Sequence, residues 1–372
     1  MKRLPTRLSA ALDEFNLVLN GPKGKETIAI KEDYPYSELS RAIFSQFGLM
    51  HLVAPYLPRI ISANFPVSKP VRRLIGAMYQ SESRKPPIFQ VPKGNQQFFL
   101  KETDLDKAVV SYSAGKDSLW NMWWAQEKFG AENVLAAHIN GLNRANASQE
   151  RRYAERQQRE LCFGNFAFIN LYNGSRNRGY RVMRSRDIFL AAVTIPHALD
   201  FGASKIITEG FAETHPTEPF SGQAKNIRLF NKALQELGIP VEVLWRNRKE
   251  MDVMRDLFEH KPEWVPHVCN CFSVPRYHAH LRGYLGQHAP TLRLYDSQCG
   301  SCVKCRITNL GRILYSKETV EIKDEDIQAF LRNTGYWVKK NGVKLRDMIA
   351  GSFMRDFRRA CKQYNVSIDQ AT

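Results

Sequence analysis

The sequence predicts an α/β protein with a parallel sheet and helices on both faces, and three observations predict it. From Lys107 onward, short apolar runs alternate with longer helical stretches, the βαβα rhythm of a parallel sheet. The first of those runs breaks at small residues, Ser113-Ala114-Gly115-Lys116-Asp117-Ser118, and a helical segment follows at once. The composition is that of a folded chain, with 43% of the 372 residues hydrophobic and 24% charged, which excludes a disordered polymer.

Residues 1–103 carry prolines at Pro55, Pro58, Pro66, Pro70, Pro86, Pro87 and Pro92, a spacing that argues against long helices. Strand-like runs at Glu26–Ile30 and Phe98–Leu100 and a helix near Ser37–Phe47 make this an accessory region of mixed structure. The strands expected next are Lys107–Ser111, Asn133–Ile139, Phe166–Leu171, Lys205–Glu209 and Val241–Leu244. The helices between and after them are Ser118–Phe129, Ser148–Phe163, Asp187–Phe201 and Lys225–Leu237. Trp120, Trp123 and Trp124 share the first of these helices and read as packing residues. Residues 104–316 form the expected main domain, closing on a cysteine-rich section at 269–305. A helical extension, 317–372, presents a basic face from Arg346, Arg355, Arg358, Arg359 and Lys362.

No apolar run is long enough to span a bilayer, and the opening MKRLPTRLSAALDEF lacks the apolar core of a secretory leader. Cysteine is sparse and gathered late in the chain, so a reduced, cytoplasmic setting and a metal site are expected rather than disulfides. The formal charge of +17 attracts polyanions and leaves a nucleic-acid or protein partner open. His138, His215, His267, His278 and His280 are not at metal-ligand spacing and read as structural or exposed.

In the small-residue turn, Ala114 and Gly115 keep the backbone bare enough for an anion to approach. Ser113 and Ser118 add hydroxyl donors, and the following helix turns its first amides to the same place. Asp117 either caps that helix or helps place a magnesium ion beside phosphates. Ligands of such sheets gather at the carboxyl ends of the strands, which is where the turn would sit. The glycine and lysine spacing differs from that of a Walker A loop.

Cys299-Gly300-Ser301-Cys302-Val303-Lys304-Cys305 spaces three thiols at C-x2-C-x2-C, with Cys269-Asn270-Cys271 upstream. Four thiolates around a tetrahedral centre suit structural zinc, preferred here over an iron–sulfur cluster because the thiols sit in a loop-rich knuckle. Cys271, Cys299, Cys302 and Cys305 are the expected ligands, with Cys269 as the substitute for Cys271.

"SAGKDS" resembles the SGGxDS signature of the PP-loop ATP pyrophosphatases, with Ala114 in place of a glycine. Together with the downstream cysteines, the chain from Lys107 to Arg312 is similar to the 7-cyano-7-deazaguanine synthases. "AAHINGLNR" (136–144) parallels that family's FDYGQR segment, Arg184–Leu190 parallels PGRNxxFL, and the stretch ending in "FNKAL" parallels the segment closing over substrate. The resemblance implies a Rossmann-like fold, ATP with magnesium, structural zinc, and a homodimer. It implies catalytic roles for Ser113, Lys116, Asp117 and Ser118, and nucleotide or substrate contacts from Ser111, Ala114, Gly115, Arg144 and Arg186. The implied reaction is adenylation of a carboxylate like 7-carboxy-7-deazaguanine, then amide and nitrile formation with ammonia, releasing AMP and pyrophosphate.

Asn140 and Asp187 depart from the family pattern, as does Gly210–Ser221, so the substrate stays open. Relatives occur in bacterial anti-phage gene clusters, a role a divergent member would fit. Two other readings share the motif. tRNA-thiolating enzymes carry the closely related SGGKDS, and a non-catalytic, zinc-stabilised nucleic-acid or partner-binding module would tolerate Ala114.

Overall fold

The structure is a computed structural model. It describes all residues except 1–6, 22–23, 32–33, 36, 95–97, 99–103, 142–146, 175–182, 211–218, 270–291, 293, 295–299, 301, 317–321, 346–350 and 368–372. Among the described residues the chain begins with β1 (Arg7–Asp13), β2 (Asn16–Gly21), β3 (Gly24–Ile30), α1 (Ser37–Val53), β4 (Ile60–Ala63), α2 (Lys69–Ser81) and β5 (Ile88–Gln90). The middle holds β6 (Asp104–Tyr112), α3 (Lys116–Phe129), β7 (Val134–Asn140), α4 (Ala147–Glu160), β8 (Asn165–Asn173), α5 (Arg186–Phe201), β9 (Ala203–Gly210), α6 (Ala224–Glu236) and β10 (Glu242–Asn247). Four helices follow: α7 (Glu250–His260), α8 (Val303–Tyr315), α9 (Asp324–Leu345) and α10 (Gly351–Gln363). The backbone contacts divide the chain into two compact units, 1–113 with 124–247, and 114–123 with 248–372.

The first unit is built on one ten-stranded, mostly parallel sheet in the order β10-β9-β6-β7-β8-β3-β2-β1-β4-β5. Its parallel half, β10 to β8, is where the apolar runs lie, and Ala108, Val109 and Val110 of β6 are wholly buried. Runs that are apolar on successive residues suit strands covered on both faces. The chain steps outward from β6 to β7 to β8, then returns past its start to β9 and β10. The order therefore reverses between β6 and β9, the place where such sheets open a crevice at their carboxyl ends. Both faces are covered. Tyr112 reaches Gln157 of α4 at 2.5 Å, whereas Val109, on the opposite face, shares a core with Ile195 of α5.

The sheet does not stop where the predicted main domain begins. β3 pairs antiparallel with β8, Ile30 opposite Leu171, and carries the sheet on through β2, β1, β4 and β5. Leu17, Phe44 and Phe47 share one core with Phe189 and Ile206. α1 approaches so closely that a Cβ on Gly48 would lie 2.9 Å from Leu17 and 3.8 Å from Phe189. Arg184 grips Glu82 with two nitrogens, at 2.8 and 2.6 Å, and donates a third bond to the Ala54 carbonyl at 3.0 Å. The prolines flank the helices rather than interrupt them: Pro70 lies in the first turn of α2, where its missing N–H costs nothing. The expected boundary at 103/104 coincides with neither edge of the first unit.

The second unit gathers Ala114–Trp123 with the four C-terminal helices. α7 and α8 touch backbone to side chain, since a Cβ on Gly311 would lie 2.9 Å from Met254 Cβ. Buried Arg306 of α8 donates to Thr334 and Asn333 of α9, at 2.7 and 2.8 Å, and lies over the Trp337 ring. Tyr315 closes the unit on α10 through Asp356, at 2.5 Å. The expected C-terminal extension is thus packed in one unit with the cysteine-bearing helix. No helix among the described residues is long and apolar enough to cross a membrane.

Candidate functional site

β6 ends at Tyr112 and α3 begins at Lys116, so the small residues form the turn between them. Ala114 takes φ +63°, the left-handed region that glycine adopts freely. It is wholly buried, while Ser113 beside it is exposed. The Gly115 carbonyl accepts from the Ser118 hydroxyl and from the Leu119 amide, both at 3.0 Å. Those two bonds fix the first turn of α3, whose leading amides are left without intrahelical acceptors. A tight turn with free amides at the positive end of a helix is suited to an anion.

Lys116 opens α3, and its side chain is fully buried. The ammonium pairs with Asp117 at 2.5 Å and with Glu250, the first residue of α7. Glu250 also meets Lys304 of α8 at 3.4 Å. Burial alone would pull Lys116 down, but the two carboxylates outweigh it and raise its pKa. Burial would push Glu250 up, but the charges of Lys116 and Lys304 overcome it and hold the carboxyl down at about 2. Four charges therefore form one ionised chain, Asp117–Lys116–Glu250–Lys304. On the same helix, Trp120 donates to Asp256 at 3.0 Å and Trp123 stacks on His260, which gives these indoles the packing role expected of them.

The cysteine arms reach this loop by another route. The Cys269 amide donates to the Ala114 carbonyl at 3.0 Å. Cys302 and Cys305, both buried at the start of α8, hold their sulfurs 3.4 Å apart. Sulfurs bound tetrahedrally at about 2.3 Å stand about 3.8 Å from one another, so this pair fits one edge of a zinc site. Cys271 and Cys299 lie outside the described residues. Among the described residues no group of three or more candidate ligands is arranged to hold a metal.

In the first unit, Arg186 heads α5 and pairs with Asp187 at 2.8 Å. The Ser221 hydroxyl sits between the Met183 carbonyl, at 2.7 Å, and the Asp187 carboxylate, at 3.1 Å. Two of the family-like segments, 184–190 and 220–234, are thus joined at the head of α5. Ser111 on β6 has a buried hydroxyl with no hydrogen-bond partner among the described residues. His138 on β7 is buried and neutral. Its Nδ1 lies 2.9 Å from the Tyr112 carbonyl, which only accepts, so Nδ1 carries the proton and Nε2 is left an unpartnered acceptor. Burial, with help from Arg151, drives its pKa down to about 4.

Ala114–Ser118 are accordingly brought together with Cys269, Glu250 and Lys304 in the second unit. Ser111, Ser113 and Arg186 belong to the first unit, and Arg144 lies outside the described residues along with His215, His278 and His280. Glu250 and Lys304 had no motif to mark them. The available signal was Glu250–His260 itself, an amphipathic run with Glu250 and Asp252 in its first turn.

No family model matches the chain, and no match is found among curated proteins.

Proposed function

We propose that the chain is an ATP-dependent enzyme of the PP-loop pyrophosphatase type, with a Rossmann-like core, that adenylates a carboxylate and converts it to an amide or nitrile. One observation carries the reading: the SAGKDS turn leaves the central strand β6 beside the point where strand order reverses, with its left-handed residue at Ala114. A carboxylate is a poor electrophile. Attack of its oxygen on the α-phosphorus of ATP forms a new O–P bond, breaks the bond to the β-phosphate, and sends pyrophosphate to the loop. Ammonia then displaces AMP to leave an amide. A second adenylation on the amide oxygen, with loss of AMP and a proton, gives the nitrile.

In this reading the α3 amides and Ser113 bind the departing pyrophosphate. Ser118 works indirectly, by fixing the Gly115 carbonyl and with it the turn. Lys116, enclosed by two carboxylates, holds Asp117 in place rather than reaching a phosphate itself. Asp117, partly exposed, is the residue that would hold magnesium, which supplies charge neutralisation at the phosphates. Zinc held by Cys302 and Cys305 with two of the remaining thiols would tie the cysteine segments. The substrate class, a deazapurine acid, rests on the resemblance.

Pyrophosphate release is the test, measured with ATP, magnesium, ammonium and 7-carboxy-7-deazaguanine. Wild type should release pyrophosphate with a nitrile or amide product detected by mass spectrometry. Ser113→Ala and Asp117→Ala should each lower kcat/KM by at least about tenfold, a loss of about 1.4 kcal/mol of transition-state stabilisation. Variants equal to wild type would overturn the assignment. Product formation on tRNA in place of the free acid would favour the thiolating alternative, which the charge of +17 supports.

A further inference from the structure

The buried pair Lys116–Glu250 lies at the junction of two features read separately from the sequence, the phosphate loop and the cysteine segment. The loop is attached to that segment at two points, both within the second unit. The upstream arm is attached through the backbone, Cys269 amide to Ala114 carbonyl at 3.0 Å. The downstream arm is attached through charge. Lys304, between Cys302 and Cys305 in sequence, meets Glu250 at 3.4 Å, and Glu250 holds Lys116, which in turn holds Asp117 at 2.5 Å. Breaking such a chain at Glu250 leaves Lys116 buried with half its counter-charge and removes the only ionic link printed between the cysteine helix and the loop lysine.

We propose that Glu250 is the positioning residue through which the cysteine segment sets the pose of the nucleotide loop, so that metal held by the cysteines and anion held by the loop are thermodynamically coupled. The proposal rests on the ATP reading for the identity of the anion, but the coupling itself runs through residues whose geometry stands without it. Fixing the first turn of α8 fixes the Lys304 ammonium. Lys304 then orients one oxygen of Glu250, and the other oxygen draws Lys116 inward. With Lys116 drawn inward, Asp117 is turned by its lysine rather than left to rotate, and the Ala114 carbonyl stays engaged with Cys269. Loosening the cysteine turn releases both attachments at once. By linkage, whatever factor the metal contributes to anion affinity, the anion returns to metal affinity.

The experiment uses the full chain, stripped of metal and then titrated with Zn(II). Hydrogen exchange of the peptide spanning the loop is followed with and without zinc, and ATP affinity is measured by calorimetry in both states. In wild type, zinc should slow exchange of the loop amides and tighten ATP on the order of tenfold, within the usual range of coupling between sites. Glu250→Gln should abolish the zinc effect on the loop, and Glu250→Asp should restore part of it, which a merely structural pair would not do. Lys304→Met, which leaves Lys116 paired, should weaken the coupling while preserving the fold, so a misfolded Glu250→Gln protein does not end the test. A chain that takes up no zinc, a loop whose exchange ignores zinc, or a Glu250→Gln protein with the full zinc effect would each overturn the proposal. Zinc-dependent loop protection without ATP binding would sustain the coupling and defeat the ATP reading alone.

Discussion

Ala114 shows what a single residue can carry. Its left-handed φ of +63° sits where the resembling signature has glycine, so its methyl group is strained in the very turn that defines the motif. Ala114→Gly should therefore raise stability by up to about 1 kcal/mol in urea unfolding, the relief of strain being partly offset by the freer unfolded chain. The lysine two positions on was legible as a motif letter but not as a structural object. A sequence shows that Lys116 belongs to the turn; it does not show that the side chain is wholly buried between Asp117 and Glu250, because Glu250 is distant in the chain. The pair is ionised over the whole neutral range. Glu250, depressed to about 2, contributes in full above the ordinary carboxylate range and loses its share only as pH falls toward 2. Lys116, raised, contributes below the ordinary lysine range and loses its share only as pH rises past it.

Among the elements, the strands of the parallel half were readable because burial on both faces writes itself as continuous apolar runs. The predicted Lys107–Ser111 lies inside β6, and the other four runs overlap β7 to β10. The N-terminal elements were harder. β3 finds its neighbour in β8, a pairing with no local signature, and α2 hides behind a proline that in fact begins it. α7 was missed because its apolar face is short, yet it supplies Glu250, Met254 and Phe258 to the second unit. The α7–α8 contact is tight enough to test. Gly311→Ala would place a methyl 2.9 Å from Met254 Cβ and 3.3 Å from the Phe258 ring, and neither helix backbone has room to yield locally. A loss of about 1–3 kcal/mol in denaturant unfolding is expected, from overpacking rather than from any lost contact.

At the scale of the whole molecule, two buried histidines set the acid limit. His51, stacked on Phe189, and His138, bonded to the Tyr112 carbonyl, are both held neutral, chiefly by burial, with pKa values near 4. The unfolded chain takes up protons near the ordinary histidine value of about 6.5 while the folded chain refuses them until about 4. Stability should therefore fall as pH drops through that window, by about 3 kcal/mol for each histidine, and level off below it. Thermal melts from pH 7 to pH 4 measure the slope, and His138→Gln should make it shallower even if the variant is less stable at neutral pH.

The division of the chain at 113/114, 123/124 and 247/248 carries a different consequence, one for proteolysis. Because Ala114–Trp123 belong with residues 248–372, the C-terminal third is not a detachable tail. A cut near Arg248 followed by dissociation would strip Lys116 of Glu250 and Trp120 of Asp256, leaving a charged and an aromatic side chain newly wet in the middle of the remaining fragment. Limited digestion of this protein should thus leave nicked chains that stay associated until denatured, and a fragment ending at Asn247 should have to be refolded with its missing partner, in the manner of split-protein complementation, to regain an ordered loop.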